Sequence, residues 1–252
     1  MIRESFAVGT SAVHRLDPRF RVIAATVFSC LAAVCDRFAA LALFLALGVA
    51  LTVLARLDLR QVARRLLVVN GLILFLWAVL PLTTGGVTVM TIGPAAITEE
   101  GLLLSAQITL KSNAILLVLI SLVATQPIGT LGHALSRLKV PDKLVHLLLI
   151  TYRYVFVLEQ EYLRLVRAAR VRCFAPSTRI HTYRTYAYLI GMLFVRAAAR
   201  ADRVHQAMVC RGFAGRFYSL RRFSFTTADG AWAAAFGIVL LAAGWLQWMP
   251  MR

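Results

Sequence analysis

Two arginines, Arg172 and Arg211, carry the most specific chemical pattern of this sequence. They lie 39 positions apart, and each is followed by a small residue and then a phenylalanine, in Cys173-Phe174 and Gly212-Phe213. A guanidinium is always charged and presents several hydrogen-bond donors, which suits contact with acidic groups. A lone arginine at a helix end would only complement the helix dipole, by about 0.3–1 kcal/mol. Because the dipole requires no repeated phenylalanine, the pattern indicates two matching contacts with another protein.

Long helices are predicted to position both arginines. Val140-Pro141-Asp142 predicts a helix start, because proline is tolerated in the first turn and an acid complements the positive helix terminus. This first helix is predicted to run to Cys173. A second helix is predicted from about Tyr183 to Arg211, with Gly212 as its C-terminal cap. Each arginine therefore falls in the last turn of a helix.

The composition indicates a membrane protein. Hydrophobic residues make up 60% of the chain and charged residues 15%, which is far more apolar than an ordinary soluble domain. The net charge is +17, but no zinc-finger spacing or separate basic domain accompanies it, so we expect no nucleic-acid partner. Tryptophans near both ends of the last apolar segment are typical of an interfacial belt. Five spans are predicted, at about 19–35, 38–55, 66–82, 101–124 and 231–248.

The positive charges predict the orientation. With a cytoplasmic N-terminus, 25 lysines and arginines fall inside and 2 outside. We therefore predict a multi-pass, all-α protein of the cell inner (cytoplasmic) membrane, with about five transmembrane helices and long cytoplasmic helices. The predicted domains are a four-span region at 1–126, a region of cytoplasmic helices at 127–226 and a transmembrane helix at 227–252. A sixth span at Leu144–Leu158 is the rival interpretation, but it is short, contains Arg153 and would place 13 arginines outside.

One ionisable residue, Lys111, lies within the fourth predicted span, one helical turn after Gln107. An intramembrane charge is by default a functional hypothesis. The lysine either contacts a partner subunit, or faces the helix bundle and pairs with a carbonyl or with Gln107. The sequence leaves both interpretations open.

A dense polar motif precedes the first span. Its acid and its arginines are predicted to pair locally and to fix the chain where it enters the bilayer, in preference to contacting a partner. The motif consists of His14, Arg15, Asp17, Pro18 and Arg19.

Neither a catalytic nor a metal site is predicted. The 5 histidines form no close-spaced pair with cysteine or carboxylate, and the 4 cysteines are predicted to be free thiols. No phosphate-binding loop occurs, so this chain is not expected to hydrolyse ATP. A membrane-embedded lipid-linked transferase would need clustered acids, whereas the 11 acids here are scattered. A stand-alone channel or carrier would need more polar residues within its spans.

Three parts of the sequence together resemble one family. His14-Arg15-Leu16-Asp17-Pro18-Arg19 resembles an element that precedes the first span of the transmembrane T component of energy-coupling-factor (ECF) transporters. Val171-Arg172-Cys173 and Cys210-Arg211-Gly212 resemble that family's paired Ala-Arg-Gly motifs. The segment from Leu148 to Arg164 is similar to the cobalt-type branch, the CbiQ-like subunits. The resemblance spans nearly the whole chain.

The resemblance implies a non-catalytic coupling subunit. Its expected partners are a pair of cytoplasmic CbiO-like ATPases, a CbiM-like substrate-capture subunit, a small CbiN-like subunit and membrane lipid. ATP and Mg²⁺ are expected on the ATPases, with no cofactor in this chain, and the ion is expected to be cobalt, with nickel as the alternative. Lys111 and Gln107 become candidate contacts of the capture subunit. The implied ATPase contacts are Val171, Arg172, Cys173, Phe174, Cys210, Arg211, Gly212 and Phe213.

The two motifs depart from the family pattern to different degrees. Val171 and Cys210 replace alanine, and Cys173 replaces glycine, while both arginines are kept. A side chain at Cys173 would hinder a close approach of the backbone to a partner. Arg211 is therefore predicted to be the more costly arginine to lose.

Overall fold

The computed structural model describes residues 11–84, 88–92, 95–213, 215 and 227–248. This part of the chain is almost entirely helical. The helices are α1 (Ala12–Arg15), α2 (Pro18–Val34), α3 (Phe38–Leu54), α4 (Leu59–Thr83), α5 (Glu99–Val118), α6 (Ile128–Arg137), α7 (Asp142–Val171), α8 (Ile180–Val209) and α9 (Thr227–Trp248). A π-helical segment, Leu119–Val123, continues α5.

The predicted all-α membrane class is confirmed. Within the described residues, three helices are long and apolar enough to cross a membrane, at Leu59–Thr83, Glu99–Val123 and Asp229–Gln247, with mean hydropathy 2.3, 1.7 and 1.5. The apolar helix α3 is shorter, at 17 residues. Helix α4 begins at Leu59, seven residues before the span predicted from residue 66, because Asp58 caps it and accepts a hydrogen bond from the Arg60 amide.

A two-stranded antiparallel hairpin interrupts the helical pattern between α4 and α5. Strand β1 (Thr88–Ile92) pairs with β2 (Ala95–Thr98), with Thr91 opposite Ala96. The sequence predicts only a turn-rich loop here. Because the glycines and the proline around the two strands dominate that pattern, the strands themselves give little signal.

Residues 11–134 and 227–248 form one compact unit, here called the membrane unit. In its core, α3 packs closely along α5, since a Cβ atom on Gly48 would lie 3.1 Å from the Leu117 Cβ and 3.3 Å from the Ala114 carbonyl oxygen. Such small residues let membrane helices approach each other. The Phe28 ring packs edge-on against the Phe44 ring with their centroids 5.1 Å apart, which ties α2 to α3.

Helices α4 and α5 are held together at the end next to the hairpin. A Cβ atom on Gly101 would clash with the Thr84 hydroxyl oxygen and would lie 2.7 Å from the Pro81 Cα. The Thr98 hydroxyl donates to the Pro81 carbonyl at 3.2 Å and lies 2.9 Å from the Thr84 hydroxyl. Glycine is therefore the residue that fits this close contact.

Residues 135–213 and 215 form a second compact unit, here called the two-helix unit. It consists mainly of α7 and α8, each 30 residues long. The predicted start of α7 at Asp142 is confirmed, whereas α8 begins at Ile180, earlier than the predicted Tyr183. Neither helix appears among the described helices long and apolar enough to cross a membrane, and neither does α2, which lies at the first predicted span. The choice between five and six spans stays a prediction. The cytoplasmic placement of 127–226 stays a prediction.

Candidate functional site

The ends of α7 and α8 share one backbone arrangement. After α7, the Cys173 amide donates to the Arg170 carbonyl at 3.0 Å and the Phe174 amide to the Ala169 carbonyl at 3.1 Å. After α8, the Gly212 amide donates to the Val209 carbonyl at 2.9 Å and the Phe213 amide to the Met208 carbonyl at 3.0 Å. This pair of bonds is the Schellman motif. The repeat seen in the sequence is therefore also a repeat of geometry.

The residue after each arginine has a left-handed backbone. The φ angle is 62° at Cys173 and 76° at Gly212. Glycine adopts this conformation without steric cost, whereas a side chain costs roughly 1–2 kcal/mol. The two helix ends thus have the same shape, and the first is the more strained.

Both arginines are exposed. Arg172 and Arg211 have neither a hydrogen bond nor an ion pair from their guanidinium groups to another described residue. Val171 is also exposed, by 85%, as are the Cys173 and Cys210 thiols and Gly212. Each helix end therefore presents a charged donor group that the unit itself does not use.

The two phenylalanines, in contrast, are half-buried and contact the neighbouring helix. The Phe174 ring meets the Tyr186 ring of α8 edge-on, with their centroids 5.7 Å apart. The Phe213 ring stacks on the His146 ring of α7 at 5.1 Å. In each motif, the phenylalanine therefore fixes the helix end against the other helix, while the arginine stays accessible. The predicted ATPase contact through the two phenylalanines stays a prediction.

Lys111 and Gln107 both bind the connection between α2 and α3. The Lys111 ammonium lies 2.7 Å from the Asp36 carboxylate and donates to the Ala33 carbonyl at 3.0 Å. The Gln107 amide donates to the Asp36 carbonyl at 2.8 Å. These bonds account for both side chains within the membrane unit and agree with the structural interpretation, in which the lysine pairs with a carbonyl. Contact with a capture subunit stays a prediction.

The N-terminal polar motif caps a helix. Asp17 precedes α2, and its carboxylate accepts a hydrogen bond from the Arg19 amide at 2.8 Å, while Pro18 is the first helical residue. The Asp17 amide donates to the Asp229 carboxylate at 3.0 Å, which joins this helix start to α9. Within the short helix α1, the His14 ring nitrogen Nδ1 lies 2.6 Å from the Ser11 hydroxyl, and Arg15 is the last residue. The Arg19 guanidinium lies 4.0 Å from the Asp17 carboxylate, and the role of the motif in fixing the chain at the bilayer stays a prediction.

One charged cluster was not predicted from the sequence. Glu161, which is buried in α7, binds Arg196 of α8 and also lies 3.5 Å from Arg164 and 4.0 Å from Arg200. The hydrogen bond from Arg196 lowers the pKa of the Glu161 carboxyl, and the nearby positive charges act in the same direction. The sequence offers two neighbouring acids, Glu159 and Glu161, among many arginines. The partners of Glu161 on the other helix could not be predicted, because they depend on how the two helices cross.

Metal ligands do not converge in the described part of the chain. There, no three histidine, cysteine, aspartate or glutamate side chains are grouped as a metal site requires. His14 and His146, moreover, already contact Ser11 and Phe213.

Comparisons with known proteins give a consistent result. A model of the protein family CbiQ, described as cobalt transport protein, matches residues 9–220. The energy-coupling factor transporter transmembrane protein EcfT of Thermosediminibacter oceani is 28% identical over 94% of this chain and 93% of its own length. The cobalt transport protein CbiQ of Rhodobacter capsulatus is 32% identical over 66% of this chain and 71% of its own. EcfT of Bacillus subtilis is 27% identical over 85% of both chains.

Proposed function

This chain belongs to the CbiQ family of cobalt transport proteins, and we propose that it is the coupling subunit of an ECF-type importer. In this role it links a pair of cytoplasmic CbiO-like ATPases to a CbiM-like capture subunit, with a small CbiN-like subunit in the same complex. The similarity to proteins named EcfT over nearly the whole chain supports the proposal. The chain itself is non-catalytic and needs no cofactor, since ATP and Mg²⁺ are bound by the ATPases.

The observation that carries the proposal is the pair of equivalent helix ends. Arg172 and Arg211 follow two helices of equal length, lie in the same type of hydrogen-bonded cap and have exposed guanidinium groups. Two identical partners require two similar contacts, and a dimer of ATPases offers an acidic surface twice. A stand-alone channel or an enzyme has no use for two such equivalent contacts.

The proposed mechanism follows from the stiffness of α7 and α8. Each helix of 30 residues is about 45 Å long, at 1.5 Å per residue. When ATP binding closes the ATPase pair, the two arginine contacts move with the ATPases and displace the helix ends. Packed helices transmit such displacements as rigid bodies, so the motion reaches the capture subunit.

The proposed orientation places the N-terminus and the two-helix unit in the cytoplasm, with the chain in the inner membrane. The count of 25 positive charges inside against 2 outside supports this orientation. It also places the exposed arginines on the side of the membrane where ATP is available.

Cobalt is the proposed substrate, because the matching family and the relative from Rhodobacter capsulatus are both named for cobalt transport. Uptake of radioactive cobalt and of radioactive nickel by cells that carry the complete transporter tests this choice. Higher uptake of nickel than of cobalt at equal concentration would transfer the proposal to nickel.

Affinity purification of the tagged chain from membranes of its own host tests the coupling role. The wild-type chain should bring down an ATPase and a second membrane subunit, and the double variant Arg172→Glu/Arg211→Glu should bring down the membrane subunit alone. Asp202→Asn changes an exposed charge of α8 outside both motifs and serves as the control. Retention of the ATPase by the double variant would contradict the proposal.

A further inference from the structure

Helices α7 and α8 cross at a buried carboxylate. Glu161 is held from α8 by Arg196 and Arg200 and from its own helix by Arg164. These four residues are here called the crossing cluster. In the fully described helix α7, the only buried residues are Val145, Glu161 and Leu165, and in α8 the only one is Thr182. Few side chains of the two helices are therefore fully buried, and the cluster joins the helices by charged contacts.

Two grooves show that the crossing point lies at this cluster. One groove, of about 570 Å³, is lined on α7 by residues from Leu165 onward and on α8 by residues up to Arg196. The other, of about 400 Å³, is lined on α7 by residues up to Leu158 and on α8 by residues from Ala197 onward. The helices thus diverge on both sides of the segment that contains Glu161.

The cluster lies at a defined chain distance from each motif arginine. Arg172 follows Glu161 by 11 residues, and Arg211 follows Arg196 by 15 residues. At 1.5 Å per residue these correspond to arms of about 16 Å and about 22 Å. A rotation about the crossing would therefore displace both ATPase contacts together.

We infer that Glu161 is a positioning residue that fixes the crossing of α7 and α8 and so couples movement of the two arginine ends. The predicted effect on transport rests on the proposed function, whereas the predicted geometry of the helix crossing does not. Without the carboxylate, three guanidinium groups would remain close together and repel one another, so the helices would rotate about the crossing. On an arm of about 16 Å, a rotation of 20° displaces a helix end by about 6 Å.

A distance measurement tests the geometry on the full chain alone in lipid nanodiscs. Spin labels are placed on the exposed thiols of Cys173 and Cys210, after Cys30 and Cys35 are replaced with alanine. Glu161→Gln should shift the distance distribution by several Å or broaden it by that amount, while Asp202→Asn should leave it unchanged. The pair Glu161→Arg/Arg196→Glu, which restores one ion pair in reverse, should return the distribution toward that of the wild type. Unchanged distributions in Glu161→Gln would overturn the inference.

A coupling measurement on the complete transporter tests the consequence. Glu161→Gln should keep the ATPase bound and hydrolysing ATP, while metal uptake per ATP falls about tenfold. A merely structural role would lower uptake and ATPase association in proportion, and that outcome would overturn the inference. Circular dichroism of Glu161→Gln checks that α7 and α8 remain helical, and Arg200→Gln, which removes the longer contact of 4.0 Å, should give a smaller loss. If the wild-type chain binds no ATPase, the proposed function fails, while the distance result still decides the geometry.

Discussion

Replacing Cys173 with glycine should stabilise the end of α7. Cys173 has a φ angle of 62°, a conformation that costs a residue with a Cβ atom roughly 1–2 kcal/mol. Glycine avoids that cost, but its greater conformational freedom stabilises the unfolded chain by about 0.4–1 kcal/mol. The exposed thiol contributes little packing. The net expectation is a gain of about 1 kcal/mol, the difference between the two terms.

The reciprocal change at the other helix end provides the matched control. Gly212 has a φ angle of 76° in the same type of cap, so Gly212→Cys should destabilise the end of α8 by about the same 1 kcal/mol. The double variant then exchanges the two residues and should leave the summed stability nearly unchanged, because the caps lie at the ends of different helices.

Hydrogen exchange followed by mass spectrometry measures both effects where they arise. The amides of Cys173 and Phe174 close the cap of α7, and those of Gly212 and Phe213 close the cap of α8. A change of 1 kcal/mol corresponds to about a fivefold change in exchange rate. Slower exchange in Cys173→Gly and faster exchange in Gly212→Cys are expected. Equal rates in both variants and the wild type would refute the left-handed caps.

Three further predictions concern the membrane unit and the crossing cluster. In thermal unfolding, Gly101→Ala should destabilise the α4–α5 contact by about 1–3 kcal/mol, because its Cβ would lie 2.7 Å from the Pro81 Cα. The control is Gly71→Ala, whose Cβ meets nothing within 4 Å and which should be neutral or stabilising. Lys111→Met should lower thermal stability and keep the capture subunit bound; loss of that subunit at unchanged stability would instead support a direct contact. The lowered pKa of Glu161 makes its charged form the stabilising one, so its contribution is present above the ordinary pKa of 4.5 and is lost as the pH falls through the lower folded pKa. In Glu161→Gln, the acid-dependent loss of stability of the two-helix unit below pH 4.5 should lack that component.

The helices that carry the motif arginines could be predicted because their boundaries depend on local signals. Pro141 and Asp142 mark the start of α7, and Gly212 marks the end of α8, each through its own backbone preference. The left-handed backbone at Cys173 could not be predicted in the same way, since cysteine is not a usual residue there. This second cap was therefore seen only in the structure.

Contacts between distant parts of the chain could not be predicted. Lys111 pairs with Asp36, 75 positions away, and Glu161 pairs with Arg196, 35 positions away. Both pairs depend on the depth or angle at which two helices meet, and the periodicity of a single helix carries no such information. The inward packing of Phe174 and Phe213 depends in the same way on the antiparallel arrangement of α7 and α8.

The number of ATPase subunits bound per chain tests the central claim most directly. Native mass spectrometry of the purified complex should show two ATPase subunits with the wild-type chain and none with Arg172→Glu/Arg211→Glu. Each single variant should lose affinity, and Arg211→Glu should lose more than Arg172→Glu. Two ATPase subunits on the double variant, at the wild-type affinity, would contradict the account.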